Sequence, residues 1–330
     1  MNSNNRTRWI SLIAVVIILF LIPLFVKSPY WMLVLTLMWI HIIVAESFRY
    51  IVTTGEYSFA HVPLMGMGGY ASALLAMKLG LSFWLALPLA VLIVALISIV
   101  IYYPCLRTTG TFFFFASFAF GEVMRLCWVR FRVPFGGVGG LRDIPRPDAI
   151  HIPGLPPVEF TFLSHVPYYY LILVFMLFSL LIMYLLERSR LGAIAAAVRE
   201  SKTLASFVGI RVWWYEMVIF VIASAFAALG GSLYAHYTTL LVPLEFYWGL
   251  GIYVCIWAVV GGTGDFMGPI VGTIVFSLAR EFLRPIPQLV PMVYGLILAA
   301  TLAFLPEGLI SLPNKILPWI EKGLAKVKER

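Results

Sequence analysis

Long apolar runs separated by short polar segments make up nearly the whole chain. A helix needs about 20 mostly apolar residues to cross a hydrocarbon core. Runs of that kind lie at 9–26, 30–46, 57–77, 82–104, 111–129, 167–187, 213–235, 247–262, 268–284 and 289–306. The pattern predicts an all-α integral membrane protein, a polytopic bundle of about ten transmembrane helices with broken or re-entrant segments. One transmembrane domain spans 1–312, with longer polar loops at 130–166 and 188–211, and a basic tail follows at 313–330.

Composition agrees with the pattern. Of 330 residues, 62% are hydrophobic and 12% charged, against roughly 45–50% and about 25% in soluble domains. A soluble enzyme, a nucleic-acid-binding domain and a disordered chain are thereby disfavoured. The net charge of +8 is explained by where the charges sit. Arg6 and Arg8, then Arg188, Arg190, Arg199, Lys202 and Arg211, then Lys315, Lys322, Lys326, Lys328 and Arg330 form three basic clusters. With ten spans all three fall on one side, and Lys/Arg enrichment of short loops marks that side as cytoplasmic. Arg130, Arg132, Arg142 and Arg146 would lie outside, but in a long loop that also carries Asp143, Asp148 and Glu159, and long loops follow the rule poorly. The run from Trp9 to Val26 is followed by Lys-Ser-Pro rather than a small-residue cleavage site, so it reads as a retained span. Cys105, Cys127 and Cys255 lie far apart in apolar runs and read as buried free thiols, with neither a disulfide framework nor a metal site.

Several spans depart from plain lipid-facing helices. Gly68 with Ser72, Gly69 with Ala73, Ala223 with Ala227 and Gly231, and Gly268 with Gly272 are small residues four apart, the spacing that lets membrane helices approach closely. Pro63, Pro88 and Pro269 interrupt helical patterns. The segment TGEYSFAHVPLMGMGGYASA (54–73) is the foremost candidate for a broken or re-entrant helix along a pathway, because freed backbone groups are tolerated where protein or a water-filled cavity satisfies them. Its single His61 reads first as a structural hydrogen-bonding residue and second as a proton carrier. Glu122 and Arg125 stand three apart and share a helix face. Arg280 and Glu281 are adjacent near the end of another span. Both pairs read first as interfacial or structural pairs and second as transport chemistry. In the polar loop, Ile194, Val198, Ala205 and Val208 recur at helical spacing, with Arg199, Glu200, Lys202, Thr203 and Ser206 opposite. Gly192 and Gly209 bracket one amphipathic helix over 193–209, suited to headgroups or to a partner's groove.

The chain carries no GxxxxGK[ST], no HExxH and no GxSxG, so a nucleotide site, a zinc-hydrolase site and a serine-hydrolase elbow of its own are not indicated. The tail KILPWIEKGLAKVKER reads as a basic interfacial segment for anionic lipid.

Seven segments in order carry a family resemblance. GEYSFAHVPLMGMGGYASA keeps Gly55, Ser58, His61, Gly66, Gly68 and Tyr70 of the pattern GxxSxGHxxFxGxGAYxxA. TFFFFASFAFGEVMRL keeps Gly121, Glu122 and Arg125. GGVGGLRDIPRP (136–147) follows, then SRLGAIAAAVRESKTLASFVGIRV with Gly192, Ala196, Arg199, Glu200, Ala205, Gly209 and Ile210. LGGSLYAHY with PLEF, VVGGTGDFMGPIVG and FLPEGLIS complete the order. From about residue 30 to 312 the chain resembles the LivM-type permease subunits of branched-chain amino acid ABC importers. Ala60 stands where the family usually has Gly, and SKTLASF lacks the acidic, Ala-rich stretch common after the coupling-loop Arg.

The resemblance implies a permease subunit in the bacterial inner membrane with both termini cytoplasmic. It implies a LivH-type partner permease, two cytoplasmic ATP-binding subunits and an external solute-binding protein, with membrane lipid around the bundle and no nucleic acid. No cofactor is implied in this chain, since ATP is hydrolysed by partner subunits. The pathway is expected to pass branched-chain amino acids or similar small polar solutes. Gly192, Ala196, Arg199, Glu200, Ala205 and Gly209 are the expected coupling residues, and His61, Gly66, Gly68, Tyr70, Glu122 and Arg125 the expected pathway residues. The alternative is a stand-alone ion- or proton-coupled transporter with His61, Glu122 and Arg125 as its relay.

Overall fold

A computed structural model of the chain describes residues 3–149, 157–161, 165–305 and 307–312, with side chains from residue 14 onward. The basic tail at 313–330 and the side chains of Arg6 and Arg8 lie outside what is described. Thirteen α-helices are present among the described residues: α1 (Ser3–Phe25), α2 (Pro29–Val52), α3 (His61–Leu79), α4 (Phe83–Cys105), α5 (Thr111–Arg130), α6 (Arg132–Phe135), α7 (His165–Glu187), α8 (Arg190–Glu200), α9 (Lys202–Phe207), α10 (Val212–Thr238), α11 (Trp248–Gly261), α12 (Gly268–Phe282) and α13 (Leu289–Phe304). Each of the ten apolar runs coincides with one helix. Among the described residues six of these, α2, α3, α4, α5, α7 and α10, are long and apolar enough to cross a membrane. At 1.5 Å per residue, α11 with 14 residues reaches only about 21 Å of a roughly 30 Å core. Among the described residues six helices reach spanning length, and a count of ten crossings is not confirmed.

Among the described residues, one two-residue ladder pairs Leu141 with Leu241 and Arg142 with Leu240, antiparallel. This ladder fastens the segment after α6 to the chain just beyond α10.

Helix α2 is the axis of the bundle. Proline in its first turn suits a helix start, where the missing N–H is an orphan anyway. From Met38 to Val52 every residue but His41 is buried, against α7, α10, α11 and α12. α3 and α10 meet backbone to backbone. A Cβ on Gly231 would stand 1.7 Å from the Met65 carbonyl oxygen, and one on Gly69 would stand 2.9 Å from that of Gly231. The same device joins α11 to α12, where a Cβ on Gly272 would stand 1.9 Å from the Trp257 carbonyl oxygen. Small residues four apart make these approaches, as packing in lipid requires.

Two expected breaks are corrected. Pro63 is the third residue of α3 and Pro269 the second of α12, positions where a helix loses little by lacking an N–H. Helix α3 therefore runs unbroken through Gly66–Tyr70. The chain turns before it, at 53–60, where Gly55 takes φ +89°. Pro88 does lie inside α4. Of the thiols, Cys105 is buried, while Cys127 and Cys255 are only half-buried.

Contacts sort the connections into two ends. At one end the α2–α3 turn meets α9 through Glu56 and Lys202. The turn before α5 joins it, Gly110 N–H donating to Glu56 at 3.4 Å, and the α11–α12 turn packs at Gly262 against the Glu307 carbonyl. At the other end Phe83 N–H donates to Asp148 at 3.1 Å and His236 Nδ1 lies 2.6 Å from the Pro145 carbonyl oxygen. Tyr169 and Tyr170 there donate to the backbone of α1 at Leu19 and Phe20. The helix pair α8–α9 and the segment 307–312 thus share one end. The described part of the 130–166 loop occupies the other.

Candidate functional site

The polar segment between α7 and α10 is two helices rather than the single one its periodicity suggests. Ser201 is extended (φ −164°, ψ 112°) and its Oγ accepts from Leu204 N–H, so the residue that ends α8 also caps α9. Ser189 caps α8 in the same way by accepting from Leu191 N–H. Gly209, at φ +85°, closes α9, with Gly209 N–H donating to Ser206 and Ile210 N–H to Ala205. Ala195, Val198 and Ala205 are buried, against α7 and α10. Val208 was expected on that inner face but stands exposed beyond the break.

The coupling candidates separate by position. Gly192, Ala196 and Arg199 line a cleft of about 150 Å³ together with Arg49, Thr53, Glu187, Thr263 and Gly264. Gly192 lies directly on the end of α7, where a Cβ would stand 1.8 Å from the Glu187 carbonyl oxygen. Glu200 is exposed and does not line the cleft, Ala205 packs inward, and Gly209 forms the turn. A larger hollow of about 260 Å³ is lined by Tyr103, Leu106, Arg107, Trp213 and Met217, apart from α8 and α9.

Two charge networks at this end escaped the sequence reading. Arg49, 1% exposed, donates from Nε to Glu46 Oε1 at 2.7 Å and from Nη1 to Glu187 Oε1 at 3.1 Å, and its Nη2 closes a second bond to Glu187 Oε2. Its guanidinium carbon lies 5.4 Å from the ring centroid of Phe266, in the α11–α12 turn. Lys202 Nζ stands 2.7 Å from both Glu56 and Glu216. Burial works against the Lys202 ammonium, but hydrogen bonds and charge from the two carboxylates outweigh it and raise the pKa above the ordinary lysine value. Glu46 and Arg49 are three apart in one helix, the same signal that drew attention to Glu122 and Arg125. The Lys202 network joins distant segments and leaves no spacing to detect.

The pathway candidates are not gathered at one place. His61 is buried, with Nε2 at 2.9 Å from Ser47 Oγ. Gly68 packs on Ala228 of α10. Gly66 lies under rings instead, where a Cβ would stand 2.7 Å from Trp128 and 2.9 Å from Phe246. Tyr70 stacks on Trp128 with centroids 4.7 Å apart and meets Phe135 and Phe246 edge-on at 5.7 and 6.4 Å. Glu122 and Arg125 pair with each other on α5. Among the described residues, no hydrogen bond joins His61 to that pair. No group of three His, Cys, Asp or Glu residues suited to a metal ion occurs among the described residues either.

Residues 30–305 match the family described as "Branched-chain amino acid transport system / permease component". The chain belongs to this permease family. Among curated relatives, the high-affinity branched-chain amino acid transport system permease protein LivM of Escherichia coli is 25% identical over 332 residues, covering 93% of this chain and 78% of the relative. The LivM protein of Salmonella typhimurium is 26% identical over 275 residues, covering 79% of this chain and 64% of the relative. No solved structure matches. Family membership together with six helices of spanning length and apolarity makes this permease a multi-pass membrane protein. Sequence resemblance had reached the same family through GEYSFAHVPLMGMGGYASA and the loop around Arg199.

Proposed function

We propose that this chain is the permease subunit of an ABC importer, passing branched-chain amino acids or similar small polar solutes and driven by separate ATPases through α8–α9. The carrying observation is the attachment of α8–α9 to the bundle. Lys202 of α9 is ion-paired with Glu56 and Glu216, and α8 starts from the end of α7 that Arg49 holds through Glu187. A loop that only linked two spans would need no such anchoring. The α8–α9 end is cytoplasmic in this reading, since Arg188, Arg190, Arg199, Lys202 and Arg211 cluster there. Exposed Trp213 and Trp214 in the first turn of α10 mark the membrane interface beside α9. The ten apolar helices are the crossings, with α11, α12 and α13 as the short or re-entrant members. A LivH-type partner permease, two ATP-binding subunits and an external binding protein complete the assembly. In this reading the solute path runs along α5 past the Glu122–Arg125 pair, with the buried Gly66–Tyr70 segment of α3 packed behind it.

The test is ATP hydrolysis by the reconstituted complex with and without solute-loaded binding protein. Stimulation is expected, and it disappears when 193–209 is replaced by a Gly/Ser linker. Stimulation that survives the replacement overturns the coupling role.

A further inference from the structure

Outside the residues tied to coupling by sequence, the most densely connected polar group at the α8–α9 end is the Arg49 side chain. It touches three separate parts of the fold. Glu46 belongs to its own helix, Glu187 ends α7, and Phe266 lies in the turn between α11 and α12. Glu187 is also the platform for α8, since Gly192 rests on its backbone too closely for any side chain. A displacement of α8 therefore moves Glu187. Between α8 and the α11–α12 turn lies the cleft lined by Ala196 and Thr263, and Arg49 lines it too. A guanidinium suits this place because its planar fork grips Glu187 with two parallel bonds, while its face stays available for the Phe266 ring.

We propose that Arg49 is the positioning hub that carries motion of α8 into α2 and the short α11–α12 hairpin, with Glu187 as the pin between hub and coupling segment. The inference rests on the importer reading and adds the path by which force leaves α8. Glu187 is the informative position. Its removal leaves Arg49 hydrogen-bonded to Glu46 at 2.7 Å, so the buried guanidinium keeps an acceptor and the bundle keeps its core.

The experiment uses the complete complex in proteoliposomes, with radiolabelled leucine as probe and ATP hydrolysis measured in the same vesicles. Glu187→Gln is expected to assemble and to hydrolyse ATP within about twofold of the unaltered complex. Its leucine uptake per ATP is expected to fall within the roughly 5–150-fold range of coupling free energies. Glu187→Asp, which keeps the charge, is expected to restore most of the ratio, a rescue that a merely structural role does not give. An unchanged uptake per ATP in Glu187→Gln overturns the hub. Absence of ATP-dependent leucine uptake in the unaltered complex instead overturns the reading of a branched-chain amino acid importer. If Glu187→Gln fails to assemble, Ala196→Cys and Thr263→Cys are joined by a short cross-linker in a chain whose Cys127 and Cys255 are replaced by Ser. Joined faces that move together keep uptake, and loss of uptake on cross-linking overturns the hub.

Discussion

Gly68 lies so close to Ala228 that a Cβ on Gly68 would stand 2.3 Å from the Ala228 carbonyl oxygen. The neighbouring atom is backbone, so no side chain can swing aside to relieve the clash. Overpacking of this kind costs about 1–3 kcal/mol or more. Gly68→Ala is expected to lower the thermal midpoint of the detergent-solubilised protein, and Gly231→Ala, facing Met65 at 1.7 Å, to lower it further. Gly295→Ala is the control. Nothing lies within 4 Å of its added methyl, and alanine is the better helix former by about 0.5–1 kcal/mol, so the midpoint should hold or rise.

Arg49 and Glu46 form a pair with side chains 1% and 0% exposed. Breaking a buried pair from one side leaves an uncompensated charge at a cost of about 3–5 kcal/mol, whereas replacing both partners with apolar groups is often neutral. Arg49→Met should therefore unfold at markedly lower temperature, and adding Glu46→Met should recover much of the loss. A double-mutant cycle on thermal midpoints reads the difference. Equal destabilisation by the single and double variants would contradict the pairing.

Lys202 gives a pH signature. Its folded pKa is raised above the ordinary lysine value of 10.5, so its ammonium contributes stability that is fully present below that value. The contribution is lost as pH climbs through the higher folded pKa. Protease resistance of the 200–211 segment should stay level from about pH 7 to about pH 9 and fall only above roughly 10.5. Lys202→Met should be more readily cleaved throughout and lose the alkaline step. A step that persists in Lys202→Met would assign it to another group.

Length and apolarity made the helices legible. Each run from 30–46 to 289–306 became one helix because such a segment must satisfy its backbone within itself when lipid surrounds it. The break at Ser201 was hidden because a helical period can continue across one extended residue, so Ala205 stays on the buried face with Ala195 and Val198. Pro63 misled for a different reason. A proline within an apolar run looks like an interruption, yet three residues into a helix it interrupts nothing. Gly66 and Gly68 look alike in GMGGY, but one lies under the rings of Trp128 and Phe246 and the other against the backbone of α10. Only the packed structure separates those roles.

On the outward face of α9 and its closing turn, Leu204, Phe207 and Val208 are 67%, 81% and 77% exposed. The inward face is already occupied by Ala205, and the interface tryptophans Trp213 and Trp214 come after Gly209, so this apolar knob stands clear of the bundle. Central apolar anchors dominate binding energy, with losses of about 2 kcal/mol or more on truncation. In the proposed importer the knob seats in the ATPase. Phe207→Ser is expected to weaken ATPase association by roughly 30-fold in a pull-down titration while leaving the thermal midpoint of the permease unchanged, since the ring is not part of its core. Leu204→Ser should act in the same direction. If ATPase association is unchanged and the isolated permease instead shows reduced protection of α9 when returned to lipid vesicles, the knob faces the membrane surface, and contact with the motor must pass through Arg199 and Glu200.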